Sequence, residues 1–335
     1  MFIQVLWREC QIINYARRRT GDWFLDTGSI PVWSSLSCLQ AAGRFIAPNT
    51  YTCFEACRWG RLFFTSANDP KESGRDDMIT STSNPQIKNL ILLGKKAKAR
   101  YEQGVFIVEG KKMVREAPRE WIQNIYVSES YLTRKEHQDG LLGMEYELLS
   151  DHVLKAAAGT QTPQGILAVV RIPQWDFFRV FQADSVCCLL LEGIQDPGNL
   201  GTMLRTAEAA GITAVIASPE TADLYNPKTI RATMGSIYRM PYFAPDDFYG
   251  ALSDLKRRGI RIYAAHLKGS VSYDAPDYRG ACAFLIGNEG NGLTGTAVGL
   301  ADAAVKIPMQ GKAESLNAAV TASVLMYESS RQRRG

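Results

Sequence analysis

The amino-acid sequence predicts an α/β protein in which a small α/β domain precedes a larger domain built on a mostly parallel sheet. Three observations lead to this fold class. Short apolar runs alternate with helical segments along the second half of the chain. These runs lack an alternating polar face, which is typical of parallel strands covered on both sides. A connector at residues 173–184 separates this half from a shorter α/β stretch before it.

The composition restricts the possible classes of protein. The 335 residues allow two or three domains, and 46% hydrophobic with 21% charged residues is ordinary for a globular chain. No apolar run approaches a membrane span of about 18 residues, and the first ten residues lack the order of a secretory signal. We therefore expect a cytoplasmic protein. The net charge of +4 is too small to indicate a partner, so local charge runs carry more information.

Neither cysteine nor histidine forms a recognisable metal site in the sequence. The seven cysteines are an odd number without paired zinc-type spacing, which favours reduced thiols. The three histidines, His137, His152 and His266, are scattered along the chain. We expect no catalytic or metal-binding role for them and no bound metal.

The first 77 residues differ in composition from the rest of the chain. They hold four of the seven cysteines and four of the six tryptophans, show little periodicity, and end in a polar stretch at 69–77. One interpretation is a small extra domain or leader. The interpretation that we favour is a poorly structured extension or a mis-assigned start, with translation beginning at Met78. It predicts that residues 1–77 lack a packed core of their own.

Residues 78–172 have a regular pattern that predicts the small α/β domain. In order, the predicted elements are a helix at 84–104, a strand at 105–110, a helix at 111–117, a strand at 124–130, a short helix after 149 and a strand ending at 171. Between Arg75 and Arg115 there are nine basic and four acidic residues. Such a run is either a solvated face or a surface that contacts nucleic-acid phosphates.

Residues 185–332 carry the strand–helix alternation of the larger domain. The predicted strands lie at 186–191, 213–217, 262–266, 282–286 and 305–308. The predicted helices lie at 200–210, 228–236, 246–258 and 314–330. The helix at 228–236 has the clearest start, because Asn226 is a favoured cap and Pro227 suits the first helical position. Open parallel sheets bind ligands at the carboxyl ends of their strands, so the loops there are candidate sites.

The loop after the first strand of the larger domain contains the sharpest candidate. A DPG tripeptide ending at Gly198 interrupts the strand, and Asn199 is predicted to open the helix. Arg205 lies off the apolar stripe, and helical side chains tilt back toward the N-terminus. A cation there is unfavourable unless an anion such as an RNA phosphate completes the site. The alternative is a surface salt bridge to Glu192 or Glu208.

Two further loops contain candidate ligand contacts. Gly287, Gly290 and Gly292 in LIGNEGNGL permit a close backbone approach to a ligand, although the pattern is weak alone and is no dinucleotide fingerprint. In the last segment, Ser315 is a candidate helix cap. Asn317 falls in the predicted first turn, where asparagine is a poor helix former, so its amide is expected to have a polar role.

These segments together resemble the signature motifs of the SpoU (TrmH-type) RNA ribose methyltransferases of the SPOUT superfamily. The likeness lies in NLGTMLRTAEAAG, LIGNEGNGL and IPMQGKAESLNAAV, in that order, and in DLYNPKTIRATMGSIYRMP before the last two. Residues 78–171 resemble the family's N-terminal substrate-binding domain, which is similar to the L30e fold. The resemblance covers residues 78–330. It implies a catalytic domain with a trefoil knot at its C-terminal end, S-adenosylmethionine as cofactor, and a homodimer.

The resemblance also implies roles for individual residues. The catalytic candidates are Asn199, Arg205, Glu289, Ser315 and Asn317. The cofactor-binding candidates are Gly287, Ile307, Met309, Gly311 and Leu316. The candidate RNA contacts, from the basic helix and the segment 223–241, are Lys88, Lys95, Lys96, Arg100, Lys228 and Arg231.

The expected function is transfer of a methyl group from S-adenosylmethionine to a ribose 2′-hydroxyl in RNA, with 23S ribosomal RNA as the default substrate. The alternatives are a transfer RNA substrate, methylation of an RNA base, a non-catalytic RNA-binding protein, and an unrelated nucleotide-binding α/β enzyme. Because arginine keeps its proton at physiological pH, we expect Arg205 to clamp a phosphate and stabilise the developing alkoxide instead of acting as a base.

Overall fold

A computed structural model of the chain describes residues 78–141, 143–182, 185–267 and 271–334. Residues 1–77, which are predicted to lack a packed core, lie outside the residues that the structure describes. No helix within these ranges is long and apolar enough to cross a membrane.

The described residues form two sheets with helices around them. The strands are β1 (Val105–Glu109), β2 (Ile122–Ser128), β3 (Glu147–Leu149), β4 (Ile166–Arg171), β5 (Cys187–Leu191), β6 (Ala214–Ala217), β7 (Tyr242–Phe243), β8 (Arg261–Ala265), β9 (Val271–Ser272), β10 (Cys282–Ile286) and β11 (Ala303–Lys306). The α-helices are α1 (Pro85–Lys95), α2 (Ala97–Gln103), α3 (Lys111–Glu116), α4 (Glu129–Leu132), α5 (Lys135–Asp139), α6 (Asp151–Ala158), α7 (Phe177–Val180), α8 (Pro197–Ala210), α9 (Pro227–Thr233), α10 (Phe248–Arg257), α11 (Gly295–Leu300) and α12 (Ala318–Arg333). Short 3-10 turns cover Arg119–Trp121 and Ser236–Tyr238.

The small sheet has the strand order β1-β4-β2-β3, with β4 antiparallel to both of its neighbours. Helix α1 packs on it through Ile87, Leu90 and Leu93, which recur at helical spacing and are buried. The single helix predicted at 84–104 is wrong in one respect. Lys96 has an extended backbone and divides the segment into α1 and α2.

The large sheet is parallel throughout, with the order β7-β6-β5-β10-β8-β11-β9. Along β5, Cys187, Leu189 and Leu191 belong to one core cluster, whereas Cys188 and Leu190 belong to the other. Helices α8 and α12 cover the first face, and α10 and α11 cover the second. The predicted parallel sheet with two buried faces is therefore confirmed.

Two predicted helix starts are corrected by the structure. Helix α8 begins at Pro197, and its cap is Asp196, whose carboxylate accepts a hydrogen bond from the Asn199 N–H. Helix α12 begins at Ala318, and its cap is Asn317, so Ser315 does not cap it. Aspartate and asparagine accept well from free N–H groups. The cap at Asn226 with Pro227 in the first position is confirmed.

The connector predicted at 173–184 is packed against the folded chain over the residues that the structure describes. Trp175 contacts Trp121 of the small domain edge-to-face, with ring centroids 6.4 Å apart. Phe177 begins the short helix α7, and its ring lies 5.2 Å from that of Phe243 on the large sheet.

Candidate active site

The candidate catalytic residues Asn199, Glu289 and Asn317 lie in the segments that follow the carboxyl ends of parallel strands, with Asn199 in the first turn of α8. The Asn317 amide nitrogen donates to the Asn199 side-chain oxygen over 3.1 Å. The Asn199 amide nitrogen in turn donates to the Glu289 carboxylate over 3.0 Å. Three segments far apart in sequence thus meet at one edge of the sheet, where such sheets place their ligands.

The cap of α12 determines how the Asn317 amide points. Its oxygen accepts from the N–H groups of Ala319 and Val320, over 2.8 and 3.3 Å. With the oxygen held at the helix terminus, only the amide nitrogen is available to the neighbouring loop. Asn199 therefore receives one hydrogen bond and donates another, which orients both of its amide atoms.

Glu289 ties the glycine loop to the start of α8. Its carboxylate accepts from the N–H groups of Gln195 and Asp196, over 3.0 and 3.1 Å, in addition to the Asn199 amide. Partial burial opposes the charge, but these hydrogen bonds outweigh it and lower the pKa of Glu289 below its ordinary value. The side chain is an ionised acceptor that organises backbone donors.

Asp196 is a site residue that the sequence analysis missed. One carboxylate oxygen accepts from the Asn199 N–H over 2.8 Å, and the other accepts from the Lys228 ammonium over 3.1 Å. The Asn199 N–H and then the Lys228 contact lower the pKa of Asp196. The available signal was an aspartate directly before a proline at a helix start.

A pocket of about 370 Å³ lies beside this constellation, within the usual size range for small-molecule sites. Of the cofactor-binding candidates, Gly287, Ile307, Met309 and Leu316 line it, whereas Gly311 does not. Of the catalytic candidates, Glu289 and Ser315 line the pocket, whereas Asn199, Asn317 and Arg205 are not part of its wall.

The glycine loop that forms one wall is folded back on itself. A Cβ at Gly287 would lie 2.3 Å from the Gly292 carbonyl carbon, closer than any side chain permits. The backbones of Asn288 and Gly292 exchange two hydrogen bonds, over 3.0 and 3.1 Å. The Asn288 amide also donates to the Gly193 carbonyl over 2.7 Å, which links the loop to the end of β5.

The residues after β8 form a further wall of the pocket that the sequence analysis did not predict. Ala265, His266 and Leu267, at the carboxyl end of β8, line the pocket, and Leu267 is exposed. His266, for which the sequence predicts no catalytic or metal-binding role, lies in this wall because it follows a parallel strand.

Arg205 lies on α8, about one and two-thirds turns beyond Asn199, with its side chain exposed. The alternative of a salt bridge to Glu192 or Glu208 is wrong. Glu192 accepts from Thr294 and Tyr249, and Glu208 pairs with Arg239. Within the described ranges, Arg205 has no ion-pair partner. It is an exposed cation near the site.

The basic candidates divide into exposed and buried residues. The exposed candidates are Lys88, Lys95, Lys96, Lys228 and Arg231. The prediction that Arg100 contacts RNA is wrong. Its side chain is 3% exposed and pairs with Asp223, so it cannot face an RNA phosphate in this structure. The sequence pattern of the basic run does not reveal a partner 123 residues away.

Two protein families match separate parts of the chain. The SpoU rRNA Methylase family matches residues 187–327, and the MRM3-like substrate binding domain matches residues 84–168. The 23S rRNA (guanosine(2553)-2′-O)-methyltransferase RlmP of Bacillus subtilis (strain 168) is 33% identical over 252 residues, covering 74% of this chain and 97% of that protein.

Solved structures have the same architecture. The crystal structure of an RNA 2′-O ribose methyltransferase has 33% identity and a TM-score of 0.68, and the match covers 77% of this chain and 99% of that one. The SpoU methyltransferase AviRb from Streptomyces viridochromogenes, in complex with the cofactor AdoMet, has 26% identity and a TM-score of 0.69, covering 75% and 98%. An AdoMet-bound rRNA methyltransferase from Sinorhizobium meliloti has 28% identity and a TM-score of 0.65, covering 76% and 97%.

Proposed function

The chain belongs to the SpoU rRNA methylase family of S-adenosylmethionine-dependent RNA ribose 2′-O-methyltransferases, and we propose that its substrate is 23S ribosomal RNA. The observation that carries the proposal is the hydrogen-bonded set of Asn199, Asn317 and Glu289, of which Glu289 lines a pocket of small-molecule size. The substrate follows the RlmP relative, which is a 23S rRNA enzyme. A ribosomal substrate also favours a cytoplasmic location.

The pocket fits the cofactor in size and in chemistry. Its wall combines the loop from Gly287 to Leu293 with the apolar residues Ile307, Met309 and Leu316. Backbone N–H and C=O groups suit the polar edges of an adenosine and an amino acid, and the apolar side chains suit the flat base. S-adenosylmethionine supplies an electrophilic methyl group carried on a sulfonium. In this proposal the chain also has the trefoil knot that the resemblance implies.

The residues outside the pocket act on the nucleotide that receives the methyl group. Attack by a ribose hydroxyl needs alignment and stabilisation of the negative charge that develops on its oxygen. We assign the alignment to Asn199 and Asn317, because their amides are fixed by Glu289 and by the cap of α12. Ser315 contributes a hydroxyl at the pocket wall.

Arg205 is assigned to the target phosphate and to the developing alkoxide. The support is its exposure, its lack of an ion-pair partner within the described ranges, and its position on the helix that carries Asn199. Guanidinium groups bind phosphate oxygens through two parallel hydrogen bonds. Arg205 does not line the pocket of its own subunit, so the proposal includes a homodimer in which it serves the pocket of a second copy.

The face of α12 that turns to solvent supports the homodimer. Val320 and Tyr327 are separated by seven residues, lie on one face of the helix, and are both 47% exposed. Light scattering of the full chain tests this part of the proposal. We expect a dimer for the wild type and a monomer for Tyr327→Glu, and a monomeric wild type with full activity would contradict it.

The decisive experiment uses the full chain, S-adenosylmethionine with a labelled methyl group, and unmodified 23S ribosomal RNA. We expect label in a nuclease-resistant dinucleotide, because a 2′-O-methyl group blocks cleavage at that position. Label in a base would favour base methylation, and label only in transfer RNA would change the substrate. S-adenosylmethionine binding measured by calorimetry separates an enzyme from a non-catalytic RNA-binding protein. Binding without methylation of any RNA would contradict the proposal.

A further inference from the structure

The small sheet and the large sheet share one hydrophobic core. Phe106 and Val127 of the small sheet belong to the same buried cluster as Leu189 and Leu204 of the larger domain. The ring of Phe106 lies 5.0 Å from that of Tyr225. Domains joined only by a linker keep separate cores, so this continuity indicates a fixed junction.

Arg100 is the buried centre of the junction. Its guanidinium pairs with the Asp223 carboxylate and donates to the Leu93 carbonyl over 2.5 Å. The Tyr101 hydroxyl donates to the same carboxylate over 3.0 Å. The Arg100 Nε has no hydrogen-bond partner, although it is buried. A buried charge pair adds little net stability compared with apolar residues of the same volume, but separating the partners leaves an uncompensated buried charge. The pair therefore penalises every other relative placement of the two groups.

A second set of contacts joins the same two domains. The buried Tyr238 hydroxyl donates to the Met113 carbonyl over 2.9 Å. The Arg239 guanidinium donates to Glu116 of the small domain over 3.0 Å and to Glu208 of α8 over 2.5 Å. Both residues follow α9, so the small domain is held on the α8 side of the larger domain.

The segment from Asp223 to Thr229 links the junction to the candidate active site. The Asp223 carbonyl accepts from the Thr229 hydroxyl over 3.1 Å, which fixes the start of α9. On the same helix, Lys228 contacts Asp196, the cap of the catalytic helix. The two helices touch at Gly201, where a Cβ would lie 2.5 Å from the Thr229 carbonyl oxygen. Hydrogen bonds and a close helix contact thus connect Asp223 to the candidate active site.

We propose that Arg100 and Asp223 lock the two domains at one separation, so that the junction determines which nucleotide of a bound RNA reaches the methyl donor. This inference rests on the proposed function. The small domain holds the RNA through its exposed lysines at a fixed distance from Asn199 and Asn317. Arg100 is a positioning residue, since it touches neither RNA nor cofactor.

The test compares Arg100→Met with a matched control, Arg333→Met. The Arg333 guanidinium also donates to backbone carbonyls, those of Val186, Tyr278 and Gly280, but entirely within the larger domain. Both variants lose hydrogen bonds, so thermal unfolding should show a lower Tm for each. Asp223→Asn and Tyr238→Phe disturb the junction more gently and serve if Arg100→Met does not fold.

The readouts are the KM for 23S ribosomal RNA, the Kd for S-adenosylmethionine and the map of methylated nucleotides. For Arg100→Met we expect kcat/KM to fall by about 10-fold to 100-fold through misplacement of the target. Methylation should also spread to neighbouring nucleotides, while the cofactor Kd is unchanged. Arg333→Met should retain a single methylated nucleotide.

Two outcomes overturn the inference. In the first, the junction variants methylate the wild-type nucleotide alone with the wild-type KM for RNA. In the second, Arg333→Met spreads methylation as widely as Arg100→Met, which would make lost stability the cause. Failure of the wild type to methylate any RNA would instead contradict the proposed function.

Discussion

The candidate active site and the domain junction both contain arginine and acidic side chains, but Arg205 is exposed in the first and Arg100 is buried in the second. At the candidate active site, Asn199, Glu289 and Arg205 lie at or near the surface, where a substrate can reach them. At the junction, Arg100 is 3% exposed, and the Asp223 carboxylate accepts hydrogen bonds from Arg100, the Tyr101 hydroxyl and the Tyr225 N–H. The difference teaches that an arginine's place in a basic or conspicuous motif does not reveal its role. Its partner does, and the partner is decided by the fold.

The largest effect should come from removing the buried arginine. Arg100→Met leaves the Asp223 carboxylate without its cation, and we expect the free energy of unfolding to fall by about 3 kcal/mol. Lys98→Met removes the exposed Lys98–Glu102 pair and should cost at most about 0.5 kcal/mol. Urea unfolding of both variants measures the contrast. Equal losses would erase the distinction between buried and exposed pairs.

The exposed arginine should show the reverse profile. Arg205→Ala should keep the wild-type Tm and the wild-type cofactor Kd, but lower kcat by about 100-fold through lost charge stabilisation. Arg205→Lys keeps the charge and loses the planar guanidinium, so its kcat should lie between those of the wild type and Arg205→Ala. Near-normal turnover in Arg205→Lys would defeat the bidentate clamp. Single-turnover assays with saturating RNA give the rates.

The glycine loop separates cofactor binding from catalysis. Gly287→Ala places a methyl group against the Gly292 backbone, which must shift. We expect the Kd for S-adenosylmethionine to rise about tenfold, within the usual cost of overpacking. Gly299→Ala is the control, because no atom lies within 4 Å of its added Cβ. An unchanged Kd in Gly287→Ala would remove this loop from the cofactor site.

A single-atom change separates the two jobs of Asn317. Asn317→Asp keeps the oxygen that caps α12 but loses the N–H that reaches Asn199. Unfolding free energy should change by no more than about 0.5 kcal/mol, because the cap is retained. Methylation should fall about tenfold, as expected when a transition-state contact is lost. Full activity in this variant would show that the Asn199 contact is dispensable.

The smallest effect concerns pH. The pKa values of Asp196 and Glu289 are lowered in the folded chain, so their contribution to stability is complete above their ordinary values of 3.8 and 4.5. It is lost only as the pH falls through the lower folded values. The contribution of these two carboxylates to the free energy of unfolding should therefore be constant between about pH 6 and 8. Urea unfolding across that window checks this, and a step within it would point to another group.

Local patterns predicted the elements well and their polar partners poorly. The helix start at Asn226 and Pro227 was predictable, because cap and proline preferences act within one turn. The start of α12 was misplaced onto Ser315, since serine and asparagine are equally good caps. The break at Lys96 was not predicted, because lysine continues a helix readily and a single glycine, Gly94, is tolerated inside a helix.

The sequence by itself determined the alternation of strands and helices, the parallel sheet with two buried faces, and the order of the three motifs along the chain. Only the tertiary structure decided that Asn199 meets Asn317 across 118 residues and that Arg100 meets Asp223 across 123. The physical reason is range. Periodicity and capping depend on neighbours within a few residues, whereas the partner of a buried charge depends on which distant segment the packed core brings against it.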